Sequence, residues 1–86
     1  MVQGMTRSEL ANVIHDEVAK YADREFGDGE RFVSDLKLAS DDLSAIALSL
    51  ERQFNVRIER SRYRDVANVD DYVELIAEAL GGSEAR

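Results

Sequence analysis

The chain has 86 residues with 18 acidic and 11 basic side chains, a formal net charge of −7, no cysteine, no proline and a single histidine. That length supports one hydrophobic core and no second domain, and without thiols there is neither a disulfide framework nor a thiolate metal site, while His15 alone cannot build a metal cluster. The negative charge sets the molecule against phosphate backbones and anionic lipid, so neither nucleic acid nor a membrane is an expected partner.

The opening MVQGMTRSEL lacks the apolar run of a secretory signal, and no window is long enough to span a bilayer, so a cytoplasmic location is expected. Thr6 followed three residues later by Glu9 predicts a capping box, with Met5 and Leu10 placed for a hydrophobic staple. The apolar positions Leu10, Val13, Ile14, Val18 and Tyr21 recur at helical spacing, and the spacing predicts a first helix running to about Phe26, stopped by Gly27. Residues 27 to 39, GDGERFVSDLKLA, then form a long connection whose Phe32, Val33, Leu36 and Leu38 are expected to pack down on the domain.

A second helix follows, with Leu43, Ile46, Ala47, Leu50 and Phe54 as its apolar stripe and Asn55 as terminator. SRYRDV at 61 to 66 leaves room for one short helical turn. Asn68 caps a last helix with the stripe Val69, Val73, Ile76 and Leu80 and a stop at Gly81 and Gly82. No alternating strand pattern occurs. The expected fold is therefore all-α, a small four-helix bundle of three longer helices and one short one with a long first loop, over residues 1 to 82, with a disordered tail from 83 to 86.

Ser40 stands where the second helix begins, ahead of Asp41 and Asp42. A serine there reads first as an N-cap, with the two aspartates favoured by the positive end of the helix dipole. The wider stretch says more. FVSDLKLAS, then LSLERQF, NVRI and a last helix opening at Val69 resemble the acyl carrier protein family. That family's pattern FxxDLGxDSL, with a helix ending LExxF and a following isoleucine, places without a gap from Phe32 to Ile76. Phe32, Asp35, Leu36, Ser40, Leu50, Glu51, Phe54, Ile58, Val66, Val69 and Ile76 fall on matching positions. The chain departs from the pattern at Ala39, where the family has aspartate, at Asp41, where it has a hydrophobic residue, and at Lys37, where it commonly has glycine.

The resemblance implies that Ser40 is esterified by phosphopantetheine, whose terminal thiol carries acyl groups as thioesters. It implies a monomeric carrier for fatty acid, polyketide or related specialised biosynthesis, without catalytic residues of its own. Its partners would be a phosphopantetheinyl transferase and acyl-transferring or condensing enzymes. Asp41, Asp42 and Glu51 would meet those partners. The arginines at 52 to 64, Arg60, Arg62 and Arg64 among them, lie where typical members are acidic and would add a basic half to that surface. An acyl cavity would be lined by Ser44, Leu50, Tyr63, Val66, Tyr72 and Ile76. Two tyrosines in it imply short, polar or aromatic cargo, unless their rings point outward. The alternative is a carrier-fold protein that is never modified, acting as an interaction module with Ser40 as a plain N-cap.

The other candidates carry less. Ser44 and Ser49 read as solvated or back-bonded helix residues, His15 as a surface residue, and nothing in a domain of this size promises a pocket deep enough to tune a carboxylate for acid/base work.

Overall fold

The first helix begins as its capping box dictates. A computed structural model describes residues 6–82. In it the amide of Glu9 donates to Thr6 Oγ1 (3.2 Å) and the amide of Thr6 donates to Glu9 Oε1 (2.8 Å), so α1 spans Arg7–Ala19. Leu10, Ile14 and Val18 bury one face of it at a spacing of four. α1 ends well short of Phe26. The amides of Lys20 and Tyr21 turn back to the carbonyls of Glu17 and Val18, tightening the last turn, and the chain leaves the helix so that Phe26 can enter the core by a different route. Met5 and residues 83–86, with the staple and the tail expected there, lie outside the described residues.

Residues 20 to 39 pack down as their composition predicts: Phe26, Phe32, Leu36 and Leu38 are buried, whereas Val33 is 60% exposed. The segment is tied to the rest of the domain by backbone. The Phe32 amide donates to the Ala67 carbonyl at 2.7 Å, and the Asp70 amide to the Asp28 carbonyl at 3.2 Å. Within it, Asp35 Oδ2 accepts from the Arg31 amide (2.8 Å) and Glu30 from Arg24 and the Gly27 amide.

α2 covers Ser40–Phe54 and stops at Asn55, whose φ of 56° is the left-handed cap that asparagine tolerates. Its buried stripe is Ile46, Leu50 and Phe54. A single short 3₁₀ helix, Arg60–Asp65, follows, and α3 runs Val69–Gly82, begun by Asn68 Oδ1, which accepts the Asp71 amide at 2.8 Å. Gly81 and Gly82 are the last residues of α3 as described. The apolar face of α3 is wider than its predicted stripe, because Tyr72 and Leu75 are buried along with Val69, Val73 and Ile76. α1 packs chiefly on α3 and also against α2, with Arg7 paired to Glu74 across the first of these contacts. The architecture is a small all-helical bundle.

One buried carboxylate belongs to the packing. Glu17, 4% exposed, accepts from Lys20 Nζ (3.2 Å) and from Gln53 Nε2 (3.0 Å), so α1 is bonded to the end of α2 by a satisfied charge. No helix among the described residues is long and apolar enough to cross a membrane.

Candidate functional site

Ser40 is the first helical residue of α2 and is exposed. The N-cap position itself belongs to Ala39, extended at φ −86° and ψ 165°, which has no side-chain acceptor to offer the helix. The expected N-cap role for Ser40 is thereby corrected by one residue: its hydroxyl makes no hydrogen bond among the described residues. What capping there is runs the other way, the Ala39 amide donating to Asp42 Oδ2 at 3.2 Å. The first backbone bond of α2 is Leu43 N–H to the Ala39 carbonyl (3.0 Å), so the amides of Ser40, Asp41 and Asp42 precede the ladder and have no intrahelical acceptor.

Just upstream, Lys37 has φ 61°. It is one of two described non-glycine residues with positive φ, and it stands where the carrier pattern has glycine. The left-handed region is where a residue without Cβ is at ease.

α2 presents Ser40, Ser44 and Leu48 at intervals of four on one face. Leu48 is 56% exposed, an apolar side chain off the core stripe. Between this face, the 3₁₀ helix and the Phe32 segment lies a cleft of about 540 Å³. Ser44, Tyr63, Val66 and Tyr72, four of the expected lining residues, do line it. Leu50 and Ile76 do not: both are fully buried in the core behind it. Glu51 and Arg60, expected on a partner surface, line the cleft as well, together with Phe32, Leu43, Ala47, Leu48 and Ile58. Leu48 was findable from the sequence as a leucine one turn on from Ser44; Glu51 facing inward depends on the placement of the 3₁₀ helix.

Both tyrosines turn inward. Tyr72 is 4% exposed and Tyr63 half-buried, their ring centroids 5.9 Å apart and tilted by 59°. Tyr63 Oη donates to Glu51 Oε2 at 2.5 Å. Burial, reinforced by the hydrogen bond to Glu51, holds the Tyr63 hydroxyl protonated well above the usual phenol range. Burial does the same to Tyr72, opposed by the neighbouring Tyr63 hydroxyl and helped by the negative charge of Glu51. A carboxylate and two neutral phenols thus form a polar line inside a cleft that is otherwise largely apolar.

The remaining predicted charges sit outside it. Asp41 is exposed at the start of α2. Arg62 is paired with Glu78 of α3, whereas Arg60 and Arg64 are exposed and form no ion pair among the described residues. His15 is less exposed than a surface residue: its ring stacks on Phe26 with centroids 4.2 Å apart, and Nδ1 lies 3.1 Å from Asp28 Oδ1. Ser49 Oγ accepts from Gln53 Nε2 at 3.3 Å. No group of His, Asp or Glu among the described residues could hold a metal ion. No protein-family model matches the chain, and no curated protein matches its sequence.

Proposed function

We propose that the chain is an acyl carrier protein, with phosphopantetheine joined by a phosphodiester to Ser40 and acyl groups carried as thioesters between enzymes of fatty acid, polyketide or related specialised biosynthesis. The observation that carries this reading is the state of Ser40: an exposed hydroxyl without a hydrogen bond among the described residues, on the first residue of a helix whose N-cap supplies no side-chain acceptor. An anion attached there meets three unspent backbone amides and the positive end of the helix dipole. The residues therefore fit the group, although Asp41 beside the hydroxyl is a neighbour the family lacks.

Two further observations support the same reading. Lys37 adopts the backbone conformation that the glycine of the carrier pattern would favour. Ser40 also lies on the α2 face that, one turn later, opens the cleft with Ser44. When bound, the prosthetic group supplies the thiol, so the protein needs no cysteine. Ser40 needs no general base of its own, since a phosphopantetheinyl transferase would activate it, and the chain has no catalytic step to perform. Its own work is to hold the attachment point at a helix terminus and to offer charge to partners: Asp41 and Asp42 near Ser40, Arg60 and Arg64 farther along.

Co-expression with a promiscuous phosphopantetheinyl transferase tests the assignment. The intact mass is expected to rise by one phosphopantetheine, and Ser40→Ala to abolish the rise. A folded wild-type protein that gains no mass, or loading that persists in Ser40→Ala, refutes the reading and leaves the unmodified interaction module. Reversal of Arg60 and Arg64 to Glu is expected to slow acyl transfer with the cognate enzyme at low salt, because exposed charges act mainly on encounter rate; an unchanged rate removes these arginines from the partner surface.

A further inference from the structure

We propose that the cleft between α2 and the 3₁₀ helix selects acyl groups whose far end carries an O–H or N–H donor, with Glu51 as the acceptor. The inference rests on the carrier reading for the word acyl, but the recognition chemistry stands on the cleft alone. Resemblance to the carrier family implies a partner-facing role for Glu51, and the structure instead turns its side chain into the cleft, where among the described residues only Tyr63 bonds to it.

The geometry makes Glu51 a preset acceptor. Its Oε2 is engaged by the Tyr63 hydroxyl at 2.5 Å, which fixes the carboxylate's orientation. Tyr63 is itself held against Tyr72, whose side chain is locked in the core. Oε1 receives no hydrogen bond and Glu51 joins no ion pair among the described residues. Arg60 lines the same cleft, yet the two charges do not pair. The result is a half-buried carboxylate in the cleft lining, with one oxygen engaged by Tyr63 and the other without a donor among the described residues.

Selection follows from what each kind of group would do to that oxygen. A plain alkyl chain covers Glu51 and strips water from it without returning a hydrogen bond, a penalty paid in full by a charged group. A chain ending in a carboxylate meets like charge at Glu51, and Arg60, exposed and screened by water, compensates weakly. A hydroxyl or an ammonium supplies the missing donor. The apolar part of such a group packs on Phe32, Leu43 and Leu48, and the cleft, at about 540 Å³, is within the range that holds a small ligand. Discrimination arises largely from the unpaired charge that the wrong group would leave.

The test uses free thioesters, so that its outcome is separate from whether Ser40 is loaded. The unmodified 86-residue chain is titrated with S-benzoyl, S-4-hydroxybenzoyl, S-4-(aminomethyl)benzoyl and S-4-carboxybenzoyl pantetheine, and binding is followed by ¹H–¹⁵N shifts of Ser44, Glu51, Tyr63 and Tyr72. The hydroxyl or the ammonium form, or both, should bind about tenfold more tightly than the benzoyl form, the size of one hydrogen bond to a charged acceptor; which of them does so identifies the donor. Glu51→Gln should shrink the difference to about twofold or less, in part by tightening binding of the benzoyl form, which no longer covers an unpaired charge. Equal affinity for all four, a preference for the carboxylate, or a donor preference that survives Glu51→Gln overturns the inference. Intact mass after transferase treatment is read in parallel, so a chain that selects donors but never loads refutes the carrier reading and not the cleft.

Discussion

Replacing Lys37 by glycine should stabilise the protein, and the size of the gain follows from one dihedral. Lys37 has φ 61°, in the left-handed region where a Cβ crowds the following carbonyl at a cost of roughly 1–2 kcal/mol. Glycine relieves that crowding but loses about 0.5–1 kcal/mol more backbone entropy on folding than a residue with a Cβ. Little else changes: the side chain is exposed, it joins no ion pair among the described residues, and the Lys37 amide that donates to the Val33 carbonyl at 3.1 Å is retained by glycine. The net expectation is a stabilisation of about 0.5–1 kcal/mol, or a rise in Tm of roughly 2–8 °C for a chain of this size. Thermal and urea unfolding of wild type, Lys37→Gly and Lys37→Ala measure it. The alanine variant removes the same charge but keeps the Cβ, so it should show no gain. A glycine variant no more stable than the alanine variant would mean that the strain is absent.

The start of α2 makes a paired prediction: Ser40→Ala should change stability by less than about 0.5 kcal/mol, because the hydroxyl caps nothing, whereas Ala39→Ser should add about 1 kcal/mol by supplying the missing acceptor. Chemical denaturation of the unmodified protein reads both, and a loss of about 1 kcal/mol in Ser40→Ala would restore the serine as the cap. The tyrosines predict an alkaline limb. Their folded pKa values are raised above the unfolded value of 10.0, so below that pH both states keep the proton and the contribution is fully present. Above it the unfolded chain binds fewer protons than the native one and stability falls as pH rises. The double variant Tyr63→Phe, Tyr72→Phe should flatten that fall above pH 10, and an unchanged slope in denaturation series against pH would show that these hydroxyls titrate normally.

Local chemistry decided much of the fold in advance. The Thr6–Glu9 box, the asparagines at 55 and 68 and the stripes of α1 and α2 each act within a turn or two of chain, so they are visible in the order of residues, as is the loop from 27 to 39 whose apolar residues had to go somewhere. The start of α2 was visible too, but not which residue caps it: Ala39 and Ser40 are neighbours, and side-chain preference alone assigns the cap to the serine. Where α1 stops was likewise hidden, since the periodicity continues through Tyr21 while the chain turns away to seat Phe26 against His15. The site divides in the same manner. Ser40, Ser44, Tyr63 and Tyr72 could be named from the resemblance to the carrier pattern, but the separation of Leu50 and Ile76 from the cleft depends on how α2 and α3 rotate toward the common core. The inward turn of Glu51 depends on Tyr63, twelve residues away, arriving with its hydroxyl at hydrogen-bonding distance. Periodicity reports which face of a helix is apolar; only packing against the 3₁₀ helix makes a charged residue at the edge of that face part of a pocket.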